Sequence, residues 1–248
     1  MAKQTGSLTL EGTMGNVIFY KRNGKFYSRS KGSPKKKRLK EGPEFENSRR
    51  VSSEFGHASK FAAKLSRSCV GLLNPGRHDG LHGRLTSKMH KVVQSDPVSV
   101  YGCRRLRFGD LDLMKGFDFE ATSLKSLIAN MPTVDHQGQV VRINFSRIGG
   151  VKKKAIPGGA THYRVDLLWC RLHEVNEKVG YQEYQENILD LDDSLDLNGI
   201  KEMDLGSALQ EEEVLFLVMG IVFLQEVNGK MNELAGKRAV GVLEVLKR

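Results

Sequence analysis

The chain is short of the features that usually announce a function. It has three cysteines in 248 residues, Cys69, Cys103 and Cys170. An odd number, far apart, gives no disulfide framework and no Cys-x-x-Cys metal site, and makes a reducing, cytoplasmic setting the default expectation. The longest apolar run, Val214 to Leu224, spans 11 residues. A membrane helix needs about 20, so no membrane partner is expected. The opening MAKQTGSLTLEG has no apolar core of the kind a signal peptide carries. There is no Gly-x-Ser-x-Gly, no His-Glu-x-x-His and no paired-carboxylate arrangement. Glycine-rich stretches such as Ile148–Lys154 and Pro157–Gly159 lack the Gly-Lys-Ser/Thr of a phosphate-cradling loop, and the first reads as a basic hairpin loop. Helix-turn-helix, zinc-finger and RNA-recognition signatures are also missing, which removes the motifs of sequence-specific nucleic-acid readout. No internal repeat is visible. These absences point away from an enzyme, a cofactor and a small-molecule substrate.

What is present is charge, and it is polarised. The net charge is +10. Residues 1–110 hold 23 Lys and Arg against 8 Asp and Glu, whereas residues 111–248 hold 16 against 21. A basic portion of this kind meets a polyanion, or meets the acidic portion of another copy.

The most specific local signal is Gly12 to Gly32, GTMGNVIFYKRNGKFYSRSKG. Asn23-Gly24 lies between two aromatic and β-branched runs and predicts a type I′ hairpin turn, which needs positive φ at both central residues. Counting outward opposes Arg22 to Lys25, Lys21 to Phe26, Tyr20 to Tyr27, Phe19 to Ser28 and Ile18 to Arg29. One face then carries Ile18, Tyr20, Arg22, Lys25, Tyr27 and Arg29, and the other Val17, Phe19, Lys21, Phe26, Ser28 and Ser30. A lone hairpin is marginal in water. Three readings follow: a hairpin lying on its own domain, an arm engaging a neighbouring subunit, or a ribbon laid on nucleic acid with the tyrosines stacked on bases. Residues 1–11 suggest one more edge strand, around Leu8 and Leu10. The run Lys35, Lys36, Lys37, Arg38 would add phosphate contacts; it resembles a nuclear-import signal but reads as a flexible basic linker. The candidate binding residues are therefore Tyr20, Arg22, Lys25, Tyr27, Arg29, Lys35, Lys36, Lys37 and Arg38.

Downstream, Pro43 opens a predicted helix to about Arg67, with Val51, Phe55, Ala58, Ala62 and Leu65 as its apolar stripe. Gly71 to Gly83 reads as loop. A second helix, about Leu81 to Ser95, has Leu85, Met89 and Val92 inward. Lys60, Lys64 and Arg67 on the first helix, and Arg84, Lys88 and Lys91 on the second, form cationic sides. From about Val98 the pattern turns to strands: Gln139–Ile148, His162–Leu172, weaker ones at Gly180–Leu191 and Lys201–Ala208, and Val214–Leu224, apolar on both faces and hence central. Val227-Asn228-Gly229-Lys230 is a second type I′ signal before a last strand, Ala239–Leu246. The expected fold class is α+β. It comprises a basic β-ribbon arm and linker (1–42), a basic helical segment (43–97) and an antiparallel β-sandwich-like domain (98–248).

Three clusters invite chemistry and are set aside. His78, His82 and His90 lack a cysteine pair, and glycines interrupt the helix between the first two. Asp190, Asp192 and Ser194 start like a calcium loop, but Leu195 stands where glycine is needed and Lys201 where a bidentate carboxylate is needed. Cys170 and His173 point to opposite faces of a strand.

The pattern Gly12-x-x-Gly15, Val17-x-Phe19-Tyr20, Gly24-Lys25-x-Tyr27-x-Arg29, a basic loop and Ser53-Glu54-Phe55-Gly56 resembles uncharacterised proteins of Bacteroidota. The C-terminal Gly220-Ile221-x-Phe223-x-Gln225-x-Val227-Asn228-Gly229 looks like the end of the same proteins. The resemblance spans most of the chain. It implies a bacterial source and is compatible with a phage or mobile-element setting, and it supplies no activity or site residues. The sequence thus predicts a non-enzymatic structural or assembly protein acting through its arm, as a homo-oligomer or with an assembly partner. Non-sequence-specific nucleic-acid binding is the alternative.

Overall fold

A computed structural model describes residues 2–32, 36–76, 80–145, 151–176, 178–185, 188–191 and 200–248. By compactness the chain divides into Met1–Arg49 and Arg50–Arg248.

The first unit is built on the hairpin. Strands β1 (Ala2–Lys3), β2 (Gly12–Met14), β3 (Val17–Arg22) and β4 (Lys25–Ser30) form an antiparallel sheet in the order β1-β4-β3-β2. Asn23 and Gly24 have φ of 50° and 75°, the left-handed pair of a type I′ turn. The predicted register is observed pair for pair from Arg22↔Lys25 to Ile18↔Arg29. The extra edge strand is not at Leu8 and Leu10. Gln4 closes that stretch into a loop, its Oε1 accepting from the Leu10 amide at 2.8 Å and its Nε2 donating to the Leu10 carbonyl at 3.1 Å. Ala2–Lys3 pairs with β4 instead. The basic segment is partly helical, α1 (Lys36–Glu41), where a flexible linker was expected. Lysine, arginine, leucine and glutamate are good helix formers, and Arg49 Nη1 ties the segment's end by donating to the Leu39 and Gly42 carbonyls.

Helix α2 (Glu46–Ser68) carries the chain into the second unit. Its buried face is Glu54, Ala58, Phe61, Ala62, Leu65 and Ser68. Val51 and Phe55, expected inward, are 42% and 49% exposed. The inward position belongs to Glu54 because Arg104 and the Gly102 amide satisfy its carboxylate. Helix α3 (Leu81–Gln94) buries Leu81, Leu85, Met89, Val92 and Val93, which contains the predicted stripe.

The sheet of this unit has the order β12-β11-β7-β8, formed by β7 (His162–His173), β8 (Val179–Gln185), β11 (Glu213–Val227) and β12 (Lys230–Leu246). A short β9 (Leu189–Asp190) pairs with β7. Strand β11 is central, and every residue from Glu213 to Leu224 is buried. It turns into β12 through Asn228 and Gly229 at φ 52° and 75°. The last strand starts at Lys230, nine residues before the predicted Ala239, and accommodates its length by register shifts at Leu217/Val218 and Val222/Leu224.

The two faces of the sheet enter two cores. Val214, Phe216 and Val218 share one with Ala58, Leu65, Leu85 and Met89 of the helices. Leu215, Leu217 and Met219 share the other with Val141, Ile143 and Met203 of a small antiparallel sheet, β10-β6-β5. Its strands are β5 (Thr133–Gln137), β6 (Val140–Asn144) and β10 (Ile200–Asp204), and a one-turn α4 (Leu124–Leu127) adds Leu124 and Leu127. Strands and helices therefore share one body beyond residue 49, with helices against one face of the large sheet. The predicted boundary near residue 97 separates segments that bury their apolar sides in a common core.

Candidate interaction surface

Five of the nine candidate binding residues, Tyr20, Arg22, Lys25, Tyr27 and Arg29, fall on the first unit's hairpin as the register requires. Tyr20 and Tyr27 oppose each other with ring centroids 5.9 Å apart and planes 26° apart. Alternation places Ile18, Arg22, Lys25 and Arg29 on the same face. Among the described residues, none pairs its side chain with Arg22, Lys25 or Arg29. On the opposite face Lys21 Nζ lies 5.2 Å from the Phe26 ring centre. Lys36 and Lys37 are exposed on α1. Arg38 is already engaged: its Nε donates to Glu44 Oε1 at 2.7 Å, and this bond holds the Glu44 carboxyl below its ordinary pKa. Lys35 lies outside the described residues.

No residue described in this unit is buried. Phe19, Tyr20, Phe26 and Tyr27 are half-buried, and the remaining strand positions are mostly exposed. The sheet offers one face of stacked tyrosines ringed by cations and one of phenylalanines, with no core beneath either among the described residues.

The helix cations are less available than their number suggests. Arg84 donates to the Asp118 and Phe119 carbonyls at 3.1 and 3.0 Å and lies over the Phe117 ring at 5.7 Å. Lys64 sits over Phe61 at 5.3 Å. These side chains hold the fold together.

The second unit contains a polar cleft of about 520 Å³. Helix α2 lines it with Ser52, Ser53, Gly56, His57 and Lys60, residues one helical turn apart. Arg105 and Arg107 come from a loop, and Glu174 follows β7. His57 Nε2 and Glu174 Oε1 are 3.1 Å apart, and the Arg107 amide donates to the same oxygen at 3.2 Å. Arg107 Nε is 3.6 Å from Glu174 Oε2, and Arg107 Nη1 is 3.6 Å from Glu212 Oε1. Glu174 is 3% exposed at its side chain. The loop is fixed from behind. Glu54 holds Gly102 and Arg104, and Asp96 accepts from the Arg105 amide at 2.8 Å. Burial pushes the Asp96 pKa up, but amide and hydroxyl hydrogen bonds outweigh it and leave it below the ordinary value. Sequence reading missed this cluster because His57 and Glu174 are 117 positions apart and no spacing motif joins them.

The described members of the clusters set aside on sequence make contacts of other kinds. His82 lies within 3.3 Å of Ser59 Oγ and 3.5 Å of Thr86 Oγ1, and His90 packs edge-on to Phe55. His78, Asp192 and Ser194 lie outside the described residues. His162 Nε2 is 3.6 Å from Asp190 Oδ1. Burial pushes the Cys170 thiol to about 12, although Ser68 lies 3.4 Å from its sulfur. His173 Nδ1 accepts from the Val175 amide in the turn that follows β7. Among the described residues no helix is long and apolar enough to cross a membrane. No family model, curated protein or solved structure matches the chain.

Proposed function

We propose that the protein is a non-enzymatic assembly component whose N-terminal arm is completed by a neighbouring copy. The observation that supports this reading is the contrast between the two units. Residues 50–248 bury both faces of their main sheet in extensive cores. The four strands of the arm bury nothing among the described residues, yet carry Phe19, Tyr20, Phe26 and Tyr27 in a specified register. A small sheet without a covered hydrophobic face is barely stable in water, so a partner surface is what gives such a register its value. The polarised charge favours a heterologous contact between a basic arm and an acidic body, which builds rings or filaments.

A second reading draws on the stacked tyrosines beside unpaired Arg22, Lys25 and Arg29, a combination suited to a nucleic-acid strand. Light scattering of nuclease-treated protein across a salt series separates the two. Assemblies that vanish when residues 1–32 are removed are the expected result. A monomer in both forms overturns the assembly reading. A monomer that carries nucleic acid before nuclease treatment, and releases it as salt rises, favours the second.

A further inference from the structure

We propose that the cleft between α2 and the Arg105–Arg107 loop binds the phosphate group of a small phosphorylated molecule of nucleotide size. This site is independent of the arm and departs from the sequence-based expectation of no small-molecule ligand. A volume of about 520 Å³ is in the range of pockets that hold such ligands.

The cleft is lined by donors. Ser52 and Ser53 present hydroxyls, Lys60 an ammonium and Arg105 a guanidinium, and all four residues are exposed. Among the described residues the Ser52, Ser53 and Arg105 side chains have no protein partner. The carboxylate in the wall, Glu174, does not turn the site toward cations. It is buried, one oxygen faces His57 and the Arg107 amide, and the other faces Arg107 Nε. Arg107 lies between Glu174 and Glu212, and Arg105 adds an exposed positive charge at the rim. Hydrogen bonds from charged or hydroxyl donors converging on one concavity are the chemistry of phosphate recognition.

Gly56 is the second, independent observation. It sits inside a 23-residue helix, at a position where glycine costs stability relative to alanine. Its φ is not positive, and a Cβ built there meets nothing within 4 Å. Neither backbone conformation nor packing calls for glycine. The space over Gly56, between Ser52 and Lys60 on the same helix side, is cleft space, and a bound group brought against the helix would use it.

The test is calorimetric titration of the full, nuclease-treated chain with inorganic phosphate, pyrophosphate and AMP. Saturable one-site binding of at least one of these is expected. Arg105→Ala should weaken it about tenfold or more, the value of one charge-assisted hydrogen bond. Gly56→Ala should weaken it while raising the urea midpoint, a pairing that a purely structural role does not produce. Arg22→Ala/Arg29→Ala on the arm should leave it unchanged. Absence of saturable binding for all three probes overturns the proposal. So does wild-type affinity in both cleft variants, or loss of binding in the arm variant, which would move the phosphate to the basic ribbon.

Discussion

Replacing Glu54 by glutamine should destabilise the second unit by about 3 kcal/mol at pH 7. The side chain is 1% exposed. It accepts from Arg104 Nε at 2.7 Å, Arg104 Nη2 at 2.6 Å and the Gly102 amide at 2.7 Å. Glutamine keeps the shape but sets an amide NH2 against a guanidinium, and it leaves Arg104 without its counter-charge. Breaking a buried pair costs about 3–5 kcal/mol. Arg104 is 18% exposed and recovers part of its hydration, which places the expected cost at the lower end. The pH dependence has a definite sign. The Arg104 hydrogen bonds, opposed by burial and aided by the Gly102 amide, hold the Glu54 pKa below its ordinary value. An unfolded glutamate titrates at about 4.3, so this contribution is complete above that pH and fades as pH falls through the lower folded value. Urea denaturation of both proteins, followed by fluorescence of the single tryptophan, Trp169, measures the gap. A difference under about 1 kcal/mol at pH 7, or one that fails to narrow on acidification, refutes the reasoning.

The remaining predictions concern accessibility and packing. Under native conditions iodoacetamide should modify exposed Cys103 and spare Cys69 and Cys170, whose thiols burial drives upward, in the latter to about 12; mass spectrometry should find all three modified only after unfolding. Gly109→Ala should cost several kcal/mol or prevent folding, on the order of the worst overpacking, because the new Cβ would lie 2.0 Å from the Val92 carbonyl oxygen. Gly220→Ala, in the centre of the main sheet, should fold nearly as the parent does. Its Cβ meets Leu72, Val240 and Asp166 at 3.6–3.7 Å, ordinary contact, and thermal melts of the two variants make the comparison.

Elements specified by their own residues were legible in the sequence. The Asn23-Gly24 turn fixes the hairpin register by local φ preference alone, and Val214–Leu224 announces a central strand because both of its alternating sets are apolar. Positions decided by distant partners were not legible. Val51 and Phe55 fit a helical stripe with Leu65, but the face actually buried contains Glu54, whose burial depends on Arg104 fifty residues away. Leu8 and Leu10 alternate like a strand, and a single side chain, Gln4, folds that stretch into a loop. His57 and Glu174 have no sequence signature because the cleft is assembled from a helix, a loop and a strand end.

Charge is a poor guide to the partner here, because so much of it is used internally. Arg84 is given to carbonyls, Arg104 to Glu54, Arg107 to Glu174 and Arg38 to Glu44. Arg22, Lys25 and Arg29 keep their positive charge unopposed among the described residues, and they ring a tyrosine pair whose reverse side is phenylalanine. Screening distinguishes what those two sides are for. An ionic contact made by exposed cations weakens steeply between low and high salt. Burial of phenylalanine surface does not weaken as salt rises. If the arm docks through the Phe19–Phe26 side, assembly survives salt and the cations govern only the rate and choice of encounter. If it docks through the tyrosine side, affinity itself falls with salt. The salt slope of the arm-dependent assembly therefore reports which face of the ribbon is covered.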